Sequence, residues 1–549
     1  MQILNLVRGK AWWMAICMAP AIGAAALGTN EQPSDLILDL FVQKGFVTQQ
    51  EADKVKAEAE ALRTNEMQMP PLPESKWKIS KALKDVELFG DVRLRYEDRS
   101  ADDPAGNSLD LQRFRYSVRV GLRGDLFDDF YYGVRVDTGD NPRSAWVSFG
   151  TSSSSAAYQG PFGKSTAGIN VGQAYLGWRP WPWVDLTLGK MPNPLYTTPM
   201  VWDPDLDPEG AAERFKYTIG PADFFATFGQ LIYATFAQRS VSGNFGLLGL
   251  GSGQTQNLDS IFQLAWQAGL QYHFTTNVSA KVAATVYQYL GLQRSMNQNN
   301  QPLSALSPYF GDPYVGEGAY LLEPANTYAP GYSGYAAGQD FSSSAPGYGS
   351  LSFPFNQVGL NHLLVVELPF ELDFKLWKLD ARMFGDFAYN LEGAKRAEDA
   401  AAAYTTLLAY AATHGAAQAS ASPFSPQKND VKAYQIGFDL ASPGGCGLIS
   451  GATARKGAWE FKTYWQHVEQ YALDPNLIDS DIFEGRENLE GIYVALAYGF
   501  TDNLIATVRY GHASRINDLL GNGGSNQDLP WINPINSFDL YQVDLTFKF

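Results

Sequence analysis

The chain runs to 549 residues, with 13% aromatic and only 18% charged side chains and 52 glycines. That balance is richer in aromatics and poorer in charge than soluble domains usually are, and it favours strands over helices. A formal charge of −16 excludes a nucleic-acid binder, because so large a surplus of carboxylates repels phosphates.

At the N-terminus, Arg8 and Lys10 precede an apolar stretch from Ala11 to Leu27, followed by the polar Thr29-Asn30-Glu31. This pattern reads as a secretory signal peptide over residues 1–28, cleaved after Ala26, where Ala24 completes the A-x-A rule, or after Gly28. Cys17 lies inside the apolar run, without a lipobox, and is read as an ordinary signal-peptide residue. Its removal leaves Cys446 as the single cysteine, so no disulfide forms within the mature chain. No later run of about 20 apolar residues occurs, so any membrane crossing must be made by strands.

Residues 29–65 carry a helical period. Leu36, Ile37, Leu40 and Phe41 share a face, Gly45 stops the first helix, and Thr48 with Glu51 forms a capping box for a second that aligns Val55, Ala59 and Leu62. This segment is expected in the periplasm. Met69-Pro70-Pro71-Leu72-Pro73 breaks any helix and makes residues 66–84 a linker.

From residue 85 to 549 the period changes to two. Leu88, Val92, Leu94 and Tyr96 alternate with Glu87, Asp91, Arg93, Arg95 and Glu97, and Phe114, Tyr116, Val118, Val120 and Leu122 alternate with Arg113, Arg115, Ser117, Arg119 and Arg123. Such strands have one oily and one wet face. A soluble sandwich turns the oily face inward and a membrane barrel turns it to lipid, and periodicity alone does not separate the two. Connection lengths do, since membrane barrels alternate short turns with long loops. Compact turns are expected at Asp125–Asp129, Pro180–Pro182, Gly220–Ala222, Thr275–Asn277, Glu371–Asp373 and Thr501–Asn503. Long Gly/Ser/Pro-rich stretches lie between them, the largest from about Leu290 to Gln357, and an Ala-rich insert at Ala397–Ala419 reads as a helix carried on a loop.

Counting the alternating segments predicts an all-β transmembrane antiparallel barrel of sixteen strands, beginning near Val86, Arg113, Phe130, Val171, Val184, Arg214, Phe224, Ile261, Val278, Val358, Leu376, Val431, Trp459, Gly491, Leu504 and Asp539. The connection after Ala441, through Gly444-Gly445-Cys446, is long for a turn, which leaves fourteen or eighteen strands open. The final strand carries Tyr541, Val543, Leu545, Phe547 and the terminal Phe549 in alternation with polar residues. It resembles the signal that barrel assembly machinery reads.

Two further stretches carry a family resemblance. Met191-Pro192-Asn193-Pro194 followed by Val201-Trp202-Asp203-Pro204-Asp205-Leu206-Asp207-Pro208-Glu209-Gly210, together with the preface Leu38 to Thr48, resembles the bacterial putative porin family, related to general and phosphate-selective porins. The resemblance implies passive diffusion of small hydrophilic solutes and ions across the outer membrane and a homotrimer. It implies no catalytic site. A substrate-selective channel for phosphate, sugar or another nutrient is the nearest alternative, and an outer-membrane enzyme or an adhesin a more distant one.

The residues agree with a channel better than with an enzyme. His273, His362, His414, His467 and His512 have no metal-ligand spacing, and there is no Gly-x-Ser-x-Gly elbow. No cofactor is called for. Asp203, Asp205 and Asp207 offer hard oxygen donors to calcium, but Pro208 stands where an EF-hand needs glycine, so a pore constriction or a solvated acidic loop are the other readings. Arg93, Arg95, Arg113, Arg115, Arg119, Arg123 and Arg135 all fall on the polar phase of the first three strands. The loop bearing Asp203, Asp205, Asp207 and Glu209 is stiffened by Pro192, Pro194, Pro199, Pro204 and Pro208 and carries Trp202 as an anchor, so it is expected to enter the lumen and face those arginines. Fixed cations opposite fixed anions would filter ions; alternatively, the arginines neutralise Glu87, Asp91, Glu97 and Asp137 inside the barrel.

N-terminal sequencing of protein isolated from membranes is expected to begin between Leu27 and Thr29. An intact Met1 overturns the export reading.

Overall fold

The computed structural model describes residues 83–102, 106, 108–139, 144–150, 168–234, 239–241, 254–256, 261–290, 362–398, 428–451, 455–518, 520, 522 and 535–549, with isolated positions at 48, 50 and 54. The expected signal peptide, most of the stretch expected to be helical and of the expected linker, the stretch from 291 to 361 with the expected strand start at Val358, and most of the Ala397–Ala419 insert lie outside the described residues. The chain divides into two units, residues 1–80 and 81–549, and the second holds the barrel.

Sixteen antiparallel staves form it: β1 (Glu87–Asp102), β2 (Ser108–Asp125), β3 (Phe130–Gly139), β4 (Gly168–Trp181), β5 (Val184–Lys190), β6 (Glu209–Ile219), β7 (Ala222–Ala234), β8 (Ile261–Thr275), β9 (Val278–Leu290), β10 (Leu364–Glu367 continued by Phe370–Leu376), β11 (Leu379–Asn390), β12 (Lys432–Ala441), β13 (Trp459–Val468), β14 (Leu489–Gly499), β15 (Leu504–Arg515) and β16 (Ser537–Lys548). Each pairs with its neighbours in sequence, and β1 pairs with β16 from Asp91↔Lys548 to Asp102↔Ser537, so the sheet closes on itself. Val147–Ser148 adds a short bridge to β2 beyond the end of β3.

β10 is one strand in spite of its interruption. Glu367↔Ala388 and Phe370↔Gly385 lie in the same register against β11, and the ladder lapses only at Leu368-Pro369, where proline has no N–H to give. This corrects the turn expected at Glu371–Asp373. Those residues sit mid-strand, with Phe370, Leu372 and Phe374 alternating against Glu371, Asp373 and Lys375, and the turn is at Trp377-Lys378.

The faces settle what periodicity left open. Leu94, Phe114, Val134, Leu188, Ile436, Leu496 and Val508 are exposed on the outside, while Arg95, Glu97, Arg115, Asp386, Asp439 and Asp544 are buried within. An apolar exterior of that extent is unstable in water and matched to a bilayer. Aromatics gather at the short-turn end, where Phe127, Trp183, Tyr217, Phe274, Trp377, Phe500 and Phe549 are exposed, as in the girdles that sit at a membrane–water boundary.

The long connection between β12 and β13, residues 442–458, turns back into the barrel mouth at the short-turn end. Glu460 accepts the N–H groups of Gly447, at 2.8 Å, and Ile449, and Leu448 packs with Ala497 and Ile505 on the inner wall. On the other side of the barrel, Gly177 faces Tyr131 so closely that a Cβ there would lie 1.9 Å from the phenol ring, so only glycine admits that ring.

Phe549 closes the seam by donating its N–H to Gly90 O (3.1 Å) and accepting the Gly90 N–H (2.9 Å). Deleting Phe549 removes both bonds at the last rung, and the truncated chain is expected to lose most of its heat-modifiable, folded band on electrophoresis. Normal folded yield overturns this.

Candidate functional site: the lumen and its infolded loops

Alternation and register dictate which side chains meet in the lumen. On β1 to β3 the inward parity brings Asp91, Arg93, Arg95, Glu97, Arg99, Arg113, Arg115, Arg119, Arg135 and Asp137 together. Half a circumference away, on β10 to β13, the same parity brings in Glu367, Glu371, Asp373, Asp386, Asp439 and Glu460, with Arg382 and Lys462 among them. One wall is therefore predominantly basic and the opposite wall predominantly acidic.

The arginines are not free. Arg93 bonds Asp91 (2.6 Å), Arg113 and Arg115 both reach Glu97, Arg123 pairs with Glu87 (2.7 Å) near the rim, and Arg135 holds Asp137 (2.7 Å). Arg95 makes a fork to Asp544 (2.7 and 3.0 Å), reaches Asp481 (2.8 Å) and lies over the ring of Trp146, 4.0 Å from its centroid. Neutralisation by neighbouring carboxylates, one of the two readings of the sequence, is thus present throughout. Buried charges of this kind persist because each is paired, since leaving one alone costs several kcal/mol.

The loop from Met191 to Pro208, leaving β5, folds into the lumen. Its apolar side chains Leu195, Met200, Val201 and Trp202 pack against Leu231, Ala265, Tyr287, Val365 and Ala388 of the inner wall, each fully buried residue contributing about 1.5–3 kcal/mol. Trp202, 5% exposed, also donates its indole N–H to Leu206 O (2.9 Å). Polar clasps fix the rest. Tyr196 and Gln267 exchange two hydrogen bonds (2.9 and 2.7 Å), Thr197 donates to Glu367, and Thr198 donates to Asp386.

Of the four acids on this stretch, Asp205 meets Arg119 (3.0 Å) and Asp207 meets Arg135 (2.8 Å). Asp203 and Glu209 do not meet the arginines. Asp203 accepts the Asp205 N–H (2.8 Å) and the hydroxyl and N–H of Ser480, while Glu209 begins β6 on the outward parity and pairs with Lys190 (3.1 Å). The every-second-residue spacing sends these carboxylates to different partners, and among the described residues no group of three or more His, Cys, Asp or Glu could hold a metal ion.

Sequence reasoning missed a second infolded segment, residues 469–488 between β13 and β14. It meets the first through Asp203 N–H to Leu477 O (2.6 Å) and Asp479 N–H to Pro199 O (3.1 Å). Its signal is the same as the first loop's, apolar residues interspersed with acids: Ala472-Leu473-Asp474-Pro475-Asn476-Leu477-Ile478-Asp479-Ser480-Asp481. Where the loops touch, burial, followed by the neighbouring Asp205, pushes the Asp203 carboxyl up to about 7, and burial with Asp203 and Asp481 raises Asp479 well above the carboxylate range. Burial acts in the same direction on Asp481, but Arg95 and Arg99 outweigh it and hold that group well below the usual range. Asp207 is pushed up to about 6 by burial, against the pull of Arg135.

A family model described as putative porin matches residues 102–549. Solved structures with a similar course include a mutant of the porin of Rh. blastica (8% identity, 85% of this chain and 100% of that chain, TM-score 0.34) and OpdQ of Pseudomonas aeruginosa (11%, 86% and 99%, 0.35). A third is OmpF of Salmonella typhi in complex with daunomycin (8%, 86% and 100%, 0.37). Likenesses this remote carry no argument about the site. No curated protein matches.

Replacing Thr197 and Thr198 together with Ala removes two bonds from the loop to wall carboxylates, each worth about 1.5–3 kcal/mol. The variant is expected to unfold at a lower temperature and to show noisier open-channel current. An unchanged melting midpoint and a quiet trace argue that these clasps do not hold the loop.

Proposed function

Because the chain belongs to the putative porin family, outer-membrane channels of Gram-negative bacteria rather than enzymes, we propose that it passes small hydrophilic solutes and ions by passive diffusion through the lumen. The observation that carries this is the pair of infolded loops lying between a basic and an acidic wall: they narrow a water-accessible barrel without supplying a reacting group. In a narrow lumen such a transverse arrangement orients dipolar solutes and weights ions by sign. The short turns face the periplasm, together with the N-terminal segment, and the long loops face outward, as in other outer-membrane barrels. The exposed apolar exterior offers both a lipid contact and the surface through which a homotrimer packs.

Purified protein in planar bilayers is expected to give stepwise currents that grow with salt concentration without saturating. Absence of any conductance overturns the proposal. We infer that Arg93, Arg95, Arg113, Arg115, Arg119, Arg123 and Arg135 with Asp203, Asp205 and Asp207 set the ion preference. Each lumenal charge acts on an ion at roughly 10 Å with about 0.4 kcal/mol in water, close to a twofold change in occupancy. Changing Asp203, Asp205 and Asp207 to Asn is therefore expected to move the reversal potential toward anion preference, and Arg115→Ser with Arg119→Ser toward cations, both effects fading above about 0.15 M salt, where screening falls to roughly 8 Å.

The pH dependence has a definite sign. Asp203 and Asp207 bind their protons more tightly in the folded chain than as free carboxylates, so both are ionised at pH 8 and largely neutral at pH 5. Lowering the pH across that window removes negative charge from the constriction and is expected to shift selectivity toward anions. The same linkage makes loop docking weaken as pH rises from the ordinary carboxylate value through about 7. In Asp203→Asn with Asp207→Asn the change of reversal potential from pH 5 to 8 should be smaller than in the parent protein, and an undiminished slope overturns the assignment.

A further inference from the structure

Beneath the first infolded loop, open toward the short-turn end, lies a cavity of about 770 Å³ between β4 and β9. Four cations line it: Arg179 of β4, Arg214 and Lys216 of β6, and Lys281 of β9. Three carboxylates share the lining, and two of them are engaged through both oxygens. Asp185 takes Arg214 (2.7 Å), Arg179 (3.5 Å) and the hydroxyl of Tyr131, and Asp223 takes Lys216 (3.2 Å) and the hydroxyl of Thr218 (2.5 Å), while Asp129 sits at the turn. Lys281 makes no ion pair among the described residues. Its ammonium instead lies 3.6 Å from the ring centroid of Tyr196, on the loop, and 5.5 Å from that of Phe225.

The geometry points to a binding subsite, which we propose holds small organic carboxylates with an apolar, preferably aromatic, body on their way through the channel; the inference rests on the diffusion reading and specifies which solutes are retained. Among the lining groups the cations outnumber the carboxylates by one, and Glu371, which faces Lys281 across the ladder, is held by Arg382 (3.4 Å), so the Lys281 ammonium is the charge left to a monoanion. Lys281 of β9 keeps ammonium N–H donors that a bound carboxylate can take, and Arg214 of β6 keeps others, since a guanidinium carries five N–H donors and Asp185 uses few of them. Tyr196, Phe225 and Leu195 supply an apolar face beside that charge, and burying it favours an organic body over a hydrated inorganic ion. Inorganic phosphate gains nothing from that face and, as a dianion, is repelled by the three acids.

The test is benzoate titrated against the open channel in planar bilayers and, in parallel, equilibrium dialysis of benzoate against the folded barrel in detergent. Saturable block and matching binding are expected. Lys281→Gln and Arg214→Gln, each checked for its heat-modifiable folded band, should raise both the half-blocking and the half-saturating concentration about tenfold, equivalent to about 1.4 kcal/mol. Failure of benzoate to bind in dialysis, values unchanged in both variants, or equal effects from benzyl alcohol or inorganic phosphate overturn the proposal. A barrel that binds benzoate but conducts nothing leaves the subsite standing and removes the diffusion reading.

Discussion

The structure depends on closing a sheet whose two faces are chemically opposite. Pairing β1 with β16 satisfies the last free strand edge, which no water in a bilayer could satisfy, and at the same time fixes the register of every ladder between. Because side chains alternate with a period of two, a slip of one residue at any stave would send Arg95 or Asp386 into lipid and bring Leu94 or Phe387 into the lumen. At the bilayer midplane a single Arg or Lys facing lipid costs about 2–4 kcal/mol, so register and charge placement reinforce one another. The arginine rows are thus a device that pins the fold as well as a lining for the pore.

Once those charges are inside, the lumen must accommodate them. The infolded loops do so from one side, giving Asp205 to Arg119 and Asp207 to Arg135, while Asp481 and Asp544 surround Arg95. The same loops use their apolar residues to cover the alanine-rich inner wall of β8 to β13, where Ala265, Ala388 and Ala433 leave room for them. Small side chains on one arc and long cations on the other therefore decide where the loops rest and where a path remains.

Much of this was legible in the residues. Six strand starts, at Phe130, Val184, Ile261, Val278, Trp459 and Leu504, coincide with the observed ones, and four of them, Phe130, Val184, Val278 and Leu504, follow a compact turn where polar residues give way abruptly to alternation. Starts at the end of the barrel away from the short turns were less sharp, as at Ser108 against Arg113 and Glu209 against Arg214, since strands that project beyond a bilayer lose the oily parity that marks them. The lumenal parity of the first three strands was readable for the same reason as the strands. Partner choice was not. Whether Asp203 met an arginine or Ser480 depends on where residues nearly 280 positions later fold back, and no local pattern encodes that. The acidic wall of β10 to β13 escaped notice because its carboxylates are spread over four strands, three on β10 and one on each of the others, and become a cluster only when the sheet curls.

The connection that turns back into the mouth at the short-turn end carries Cys446, half-buried beside Asp439 and Glu460. Burial, with Asp439 next, pushes its thiol up to about 12, so it stays protonated and a poor nucleophile at neutral pH. Withdrawing the connection from the mouth would return that sulfur to water and to ordinary acidity. The chain thereby contains its own chemical gauge: the rate at which an alkylating reagent takes Cys446 reports how often this end of the conduit stands open.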